Sequence, residues 1–312
     1  MKIAVVGVGA MGSVYAGLLA DAGNEVWAVD TWAEHVAAIR DQGLRVEGAS
    51  GDRTVRLHAT TDAAEAGPVD LVVIATKAQH VEAAATSARA LLGPETVVVS
   101  IQNGLGGPAR AAEILGGERV AIGVVGGFGA SIVEPGHVHH NGWELVRLGE
   151  LNGPITPRIE RVAEVWRGAG FKVKTYDDVG TLVWEKLVCN TAFSGTCALL
   201  ELTVGEVLAS QEAFAVAGGC AGETFAVAQA SGIELGFTDP VSYVRDFGSK
   251  IPGARPSMLL DLMAHRASEI DVINGAVPPA ARAVGLEAPV NETVTALVKA
   301  KEARLIGSGG PG

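Results

Sequence analysis

The run VVGVGAMGSVYAGLLADAG places Gly7, Gly9 and Gly12 in a G-x-G-x-x-G spacing between an apolar strand-like segment and a helical one. Each glycine answers a separate need: a tight turn at Gly7, close approach of backbone N–H groups to a pyrophosphate at Gly9, and close packing of helix on strand at Gly12. The whole turn, Gly7, Val8, Gly9, Ala10, Met11 and Gly12, is therefore the expected contact with a dinucleotide. Three glycines are common in loops; the strand before and the helix after make this spacing specific. Asp30 ends the next strand-like run. A carboxylate there can accept hydrogen bonds from both hydroxyls of the adenosine ribose and repels a 2′-phosphate, which favours NAD over NADP while leaving NADP possible. Capping the following helix is a compatible second role for Asp30.

Two more strand ends carry polar residues, Lys77 in ATKAQ and Asn103 in SIQNGLGG. Ligands bind at the carboxyl ends of parallel strands, so both are candidate cofactor and substrate contacts, although each alone would pass for a loop residue. Farther on, TLVWEKLVCNTAF (181–193) sets Lys186 among Leu182, Val183, Leu187, Val188 and Phe193, with Asn190 one helical turn on along the same face. A lone lysine in such a helix ordinarily runs its stem along apolar surface and keeps its charge in water. HVHHNGW invites a metal reading through His137, His139 and His140, but no carboxylate or cysteine pattern completes a site, and a polar hairpin turn is expected instead. Cys189, Cys197 and Cys220 lack CxxC spacing and read as buried free thiols.

The elements that must position these residues fall into two textures. KIAVVGV (2–8), EVWAVD (25–30), DLVVIAT (70–76) and TVVVSIQ (96–102) are short runs rich in Val and Ile, separated by helical segments that end in Gly. That alternation predicts a parallel sheet with helices on both faces. Further strand-like stretches in 107–150 are expected to complete the sheet. Beyond about residue 180 strands disappear and helical patterns take over, so the expected division is 1–177 and 178–312. The Gly-rich tail 307–312 is expected to be flexible.

Composition excludes several classes of partner. With 312 residues, 48% hydrophobic and 19% charged, the chain can bury a sizeable core. A net charge of −11 argues against a broad grip on nucleic acid or anionic lipid. No apolar run reaches the ~18 residues of a spanning helix, and no signal pattern opens the chain, so a cytoplasmic location is expected.

Through GVGAMG (7–12), TKAQ (76–79), QNGLG (102–106), WEKLVCN (184–190) and RPSMLLDLMAHRASEIDVINGAV (255–277), in that order and spacing, the sequence resembles the ketopantoate reductase (2-dehydropantoate 2-reductase) family. The resemblance implies an N-terminal Rossmann-type parallel-sheet domain followed by an all-helical C-terminal domain for substrate binding and dimerisation. It also implies hydride transfer between NAD(P)H and a short-chain 2-keto acid. By the same resemblance Lys186 and Glu269 are catalytic, and Asn103, Asn190, Ser194 and Ser257 line the substrate. Lys77, Asn103 and Glu269 lie near the cofactor. Hydride arriving at a ketone develops negative charge on oxygen, which a lysine can stabilise and protonate. A homodimer is also implied.

Three positions depart from the family pattern. Asp30 stands where NADP-using members carry a basic residue, and Ser194 and Val204 stand where well-studied members place asparagines facing the substrate. A different 2-keto acid, or oxidation of another hydroxy acid or sugar acid in catabolism, is the alternative reading. A dinucleotide sensor without turnover is a more distant one.

Overall fold

The computed structural model describes residues 1–127, 129–142 and 145–307. Apart from Gly307, the tail expected to be flexible lies outside them, as do Phe128, Trp143 and Glu144 of the expected strands and hairpin. The chain divides into two units, one comprising Met1–Gln102 and Gly106–Gly180 and the other Asn103–Leu105 and Thr181–Gly312.

The first unit begins β1 (Lys2–Val6), α1 (Ala10–Asp21), β2 (Glu25–Val29), α2 (Ala33–Gln42), β3 (Leu44–Gly48), β4 (Arg53–Val55), β5 (His58–Thr60) and β6 (Val69–Ile74). It continues with α3 (Val81–Ala88), β7 (Leu92–Ser100), α4 (Gly107–Leu115), β8 (Val120–Val125), β9 (Gly129–Glu134), β10 (His137–Gly142), β11 (Leu145–Glu150), α5 (Pro157–Gly168) and β12 (Lys172–Thr175). An eight-stranded sheet runs β12-β11-β8-β7-β6-β1-β2-β5. From β5 to β8 neighbouring strands are parallel, while β11 is antiparallel to β8. Central strands such as β1 and β6 are buried on both faces, which is why they read as unbroken Val and Ile runs rather than alternating ones. Because β1 lies between β2 and β6, the strand order reverses at β1, and the glycine turn emerges from its carboxyl end.

A second, four-stranded sheet, β4-β3-β10-β9, corrects the expectation of a single sheet. HVHHNG is not a turn. It forms β10, parallel to β3 and antiparallel to β9. Its histidines are accommodated by partners from elsewhere in the chain: His137 Nε2 lies 3.1 Å from Glu47 Oε2, and His139 Nδ1 lies 3.4 Å from Glu47 Oε1. His140 is fully buried, its Nε2 bonded to the Gly142 carbonyl at 2.7 Å. Among the described residues no group of three or more His, Cys, Asp or Glu is arranged to hold a metal ion.

Helix α1 packs against β1 and β2 on one side and against β3, β9 and β10 on the other. That placement explains eight consecutive buried residues, Gly12 to Leu19, in a helix with no polar face at its centre. Gly17 permits the approach, since a Cβ there would sit 2.6 Å from Val46 Cγ2. Tyr15 of α1 then meets Trp166 of α5 and Phe171 at ring-centroid distances of 5.1 and 5.9 Å.

The second unit is helical: most of α6 (Val179–Leu200), then α7 (Val204–Ala209), α8 (Gln211–Ala230), α9 (Pro240–Ser249), α10 (Ser257–Met263), α11 (Val277–Ala283) and α12 (Pro289–Gly307). Residues 191–198 of α6 are all buried, so this helix forms the centre of the unit's core. Several polar groups inside that core are paired. Asn274 donates to the Thr191 carbonyl at 2.9 Å and to Asn291 Oδ1 at 3.0 Å, and Asn291 donates to Glu223 Oε2 at 2.8 Å. Among the described residues no helix is long and apolar enough to cross a membrane.

All three cysteines are free and buried in this unit, and burial pushes each thiol up to about 12. The thiolate, not the thiol, is the nucleophile that attacks a disulfide reagent. Native protein at pH 8 should therefore react negligibly with Ellman's reagent on a timescale in which guanidinium-unfolded protein yields three thiols; rapid native labelling would contradict the burial.

Candidate active site

In the first unit the glycine turn is shaped by contacts that only glycine allows. Gly7 has φ +92, and a Cβ there would stand 2.5 Å from Thr76 Cγ2 at the end of β6. A Cβ on Gly12 would lie 2.0 Å from the Gly7 carbonyl oxygen. Gly9 faces open space, with nothing within 4 Å of a would-be Cβ, and it precedes α1 without any side-chain cap. Uncapped N–H groups beside open room suit a pyrophosphate, so these residues fit a dinucleotide.

Asp30 follows β2, half-buried, and its Oδ1 accepts from the Trp32 N–H at 2.9 Å. It caps no helix directly; Trp32 is the residue that precedes α2. Lys77 is half-buried two residues beyond Ala75 and precedes a short 3-10 turn, Ala78–His80.

The second unit contains Lys186, Asn103 and Glu269 as a bonded set. Lys186 Nζ donates to Asn103 Oδ1 at 2.7 Å, and Asn103 Nδ2 donates to Glu269 Oε2 at 3.3 Å. The three come from α6, from the segment just after β7, and from the residue preceding the 3-10 turn Ile270–Val272. Backbone contacts hold Asn103 in place: the Leu105 N–H donates to the Val272 carbonyl at 2.9 Å. Between them Gly104 has φ +77, and a Cβ on it would fall 2.1 Å from the Val272 oxygen. Gly104 was absent from the residues expected to matter, although the glycines of QNGLGG were the available signal.

The other expected substrate contacts are more dispersed. Asn190 is half-buried one turn beyond Lys186, and Ser194 is buried a further turn on. Ser257 opens α10 with an exposed side chain, following Pro256 at the cap. Val204 is only 1% exposed and belongs to the apolar core of the unit.

Family models described as ketopantoate reductase PanE/ApbA and its C-terminal domain match residues 3–153 and 178–302. The chain belongs to the ketopantoate reductase family. The 2-dehydropantoate 2-reductase of Streptococcus pyogenes serotype M1 is 31% identical over 306 residues, covering 98% of this chain and 99% of the relative. A PanE/ApbA family ketopantoate reductase from Ralstonia eutropha JMP134 has a similar structure, with TM-score 0.90 and 32% identity over 98% of this chain and 99% of that one. D-mandelate dehydrogenase, solved with NADH and anilino(oxo)acetate, gives TM-score 0.90 at 29% identity, covering 98% and 99%. As a member of this family the chain is an oxidoreductase acting on a CH–OH group.

The contact at Gly12 generates a direct test. Gly12→Ala forces a methyl into the Gly7 carbonyl, so NADH and NADPH affinity should fall at least tenfold, measured by fluorescence titration. Unaltered affinity would show that the turn does not hold the dinucleotide.

Proposed function

We propose that the protein transfers a hydride between NAD(H) and the 2-carbon of a small 2-keto acid, 2-dehydropantoate or one related to it. The observation that supports this reading most is the Lys186–Asn103–Glu269 chain of hydrogen bonds. A nicotinamide dinucleotide, when bound, supplies or accepts the hydride.

The residues of the chain have separate tasks in this reading. Lys186 places an N–H at the keto oxygen, where negative charge grows as the carbonyl is reduced, and passes a proton to it. Asn103 aims the ammonium by presenting its carbonyl oxygen to it, and its own NH2 group is turned toward Glu269. Glu269 thereby keeps the amide from flipping, since a reversed amide would face oxygen to carboxylate and nitrogen to ammonium. Asn190 and Ser194, on the same helix as Lys186, and Ser257 are the assigned substrate contacts. Asp30 supports NAD(H) as the preferred cofactor, its carboxylate accepting from the ribose hydroxyls and repelling a 2′-phosphate.

A second reading has a specific observation behind it. The likeness to D-mandelate dehydrogenase, solved with NADH, coincides with Asp30 and with the absence of asparagine at 194 and 204. A bulkier, less polar 2-hydroxy acid is then the substrate. A screen of purified protein with NADH and NADPH against 2-dehydropantoate, short aliphatic 2-keto acids and the 2-keto acid matching mandelate separates the readings. The highest kcat/KM should fall on one of these with NADH; no oxidation of either cofactor by any of them would leave only a binding protein.

Lys186→Ala should lower kcat by about 10²-fold or more while leaving NADH affinity within about twofold, checked by stopped-flow and fluorescence titration. Comparable turnover would remove the assigned role. Asp30→Ala should narrow the kcat/KM ratio of NADH over NADPH by about tenfold, the equivalent of about 1.4 kcal/mol. An unchanged ratio would put cofactor discrimination elsewhere.

A further inference from the structure

We infer that His35 is a positioning residue for the dinucleotide turn, holding the Val8 carbonyl through Ser13 by a hydrogen-bond chain that is anchored to the Gly136 backbone N–H only while its imidazole is neutral. This rests on the dinucleotide reading of the first unit.

The direction of the chain follows from its ends. The Gly136 backbone N–H donates to His35 Nδ1 at 3.0 Å. A backbone amide can only donate, so Nδ1 holds a lone pair and Nε2 carries the ring proton. That proton points at Ser13 Oγ, 3.0 Å away, and the Ser13 hydroxyl donates in turn to the Val8 carbonyl at 2.7 Å. His35 and Ser13 are both fully buried, so no water can stand in for a lost partner without a rearrangement. Val8 sits between Gly7 and Gly9, in the segment whose N–H groups face the pyrophosphate in the dinucleotide reading.

His35 also touches the ribose side of that site. The Trp32 ring stacks on the imidazole with centroids 4.8 Å apart and planes 11° from parallel, and the Trp32 N–H is the donor to Asp30. One buried ring thus ties together the glycine turn, the Asp30–Trp32 segment and the Gly136 turn that precedes β10. Protonation of Nδ1 would aim an N–H at the Gly136 N–H, and the ring could then hold its position at only one of its two nitrogens.

Burial lowers the affinity of His35 for a proton, and the Asp30 carboxylate and the nearby Val8 carbonyl oppose that shift. Among the described residues, Asp30 is the ionisable group that acts on the ring from the neighbouring elements. A proton is bound more weakly in the folded chain than in the unfolded one. The stabilisation is therefore complete above the ordinary histidine value of about 6.5 and is lost progressively as pH falls below it.

The test is the Kd of freshly dissolved NADH, by fluorescence titration from pH 5 to pH 8, for wild type, His35→Gln and Ser13→Ala, with kcat at saturating NADH alongside. In wild type, Kd should rise severalfold or more toward pH 5. His35→Gln places a non-titrating amide N–H toward Ser13, so its Kd should stay within about threefold of wild type at pH 8 and remain flat as pH falls. Its kcat should follow wild type at every pH. Ser13→Ala, which removes one hydroxyl and leaves the helix intact, should raise Kd about fivefold at pH 8 with kcat retained. It also serves if His35→Gln does not fold. Parallel Kd profiles in wild type and His35→Gln, or an unchanged Kd in Ser13→Ala, would overturn the inference while leaving the dinucleotide reading in place. Failure of wild type to bind NADH or NADPH at pH 8 would remove both.

Discussion

An amide placed between an ammonium and a carboxylate has one stable orientation, and the Asn103 side chain is set in that position. Its oxygen must face the cation and its nitrogen the anion, because each reversal would oppose two groups of like character. Hydrogen bonds to charged groups contribute about 1.5–3 kcal/mol each, roughly twice a neutral pair, so the arrangement is a strong local restraint on Lys186. It depends on a three-residue excursion, Asn103–Leu105, that leaves the chain of the first unit and packs with the second. Only a residue without a side chain at 104 permits the backbone approach to Val272 on which that excursion rests.

Close backbone approach recurs wherever a functional segment is held. Gly7 against Thr76, Gly12 against the Gly7 carbonyl and Gly17 against Val46 pin the glycine turn and α1 between two sheets. In the helical unit, Gly195 lets α6 meet Val294, with a would-be Cβ 2.4 Å from its Cγ1. Glycine inside a helix costs about 0.5–1 kcal/mol relative to alanine. The tight packing gained in return offsets that cost, since interiors at crystal-like density leave no room for an added methyl.

The parallel sheet was legible because its central strands are buried on both faces and their Val and Ile runs are unbroken. The second sheet was not. Strand β4 has only three residues, β3 reads LRVEG with charged residues in alternation, and β10 reads HVHHNG, a composition that suggests a polar turn. Glu47, ninety residues earlier in the chain, lies against two of its histidines and makes the strand tolerable. His35 is illegible for a similar reason: nothing around it in the sequence distinguishes a buried, doubly bonded imidazole from one on a helix surface.

Local patterns are readable when the physical requirement is itself local. Gly7, Gly9 and Gly12 serve one turn, the apolar periodicity serves one strand or helix, and the order of motifs marks the family. Partnerships across long separations are a different matter, because a side chain's nearest neighbour in the sequence is seldom its nearest neighbour in space. That Lys186 bonds to a residue 83 positions away, and that this residue reaches another 166 positions on, follows from packing among helices and loops. Sequence alone established the parallel strands, the helices and the residue types available for chemistry; the folded chain decided the second sheet and which charges meet, because hydrogen bonds act over about 3 Å and only tertiary packing brings distant residues that close.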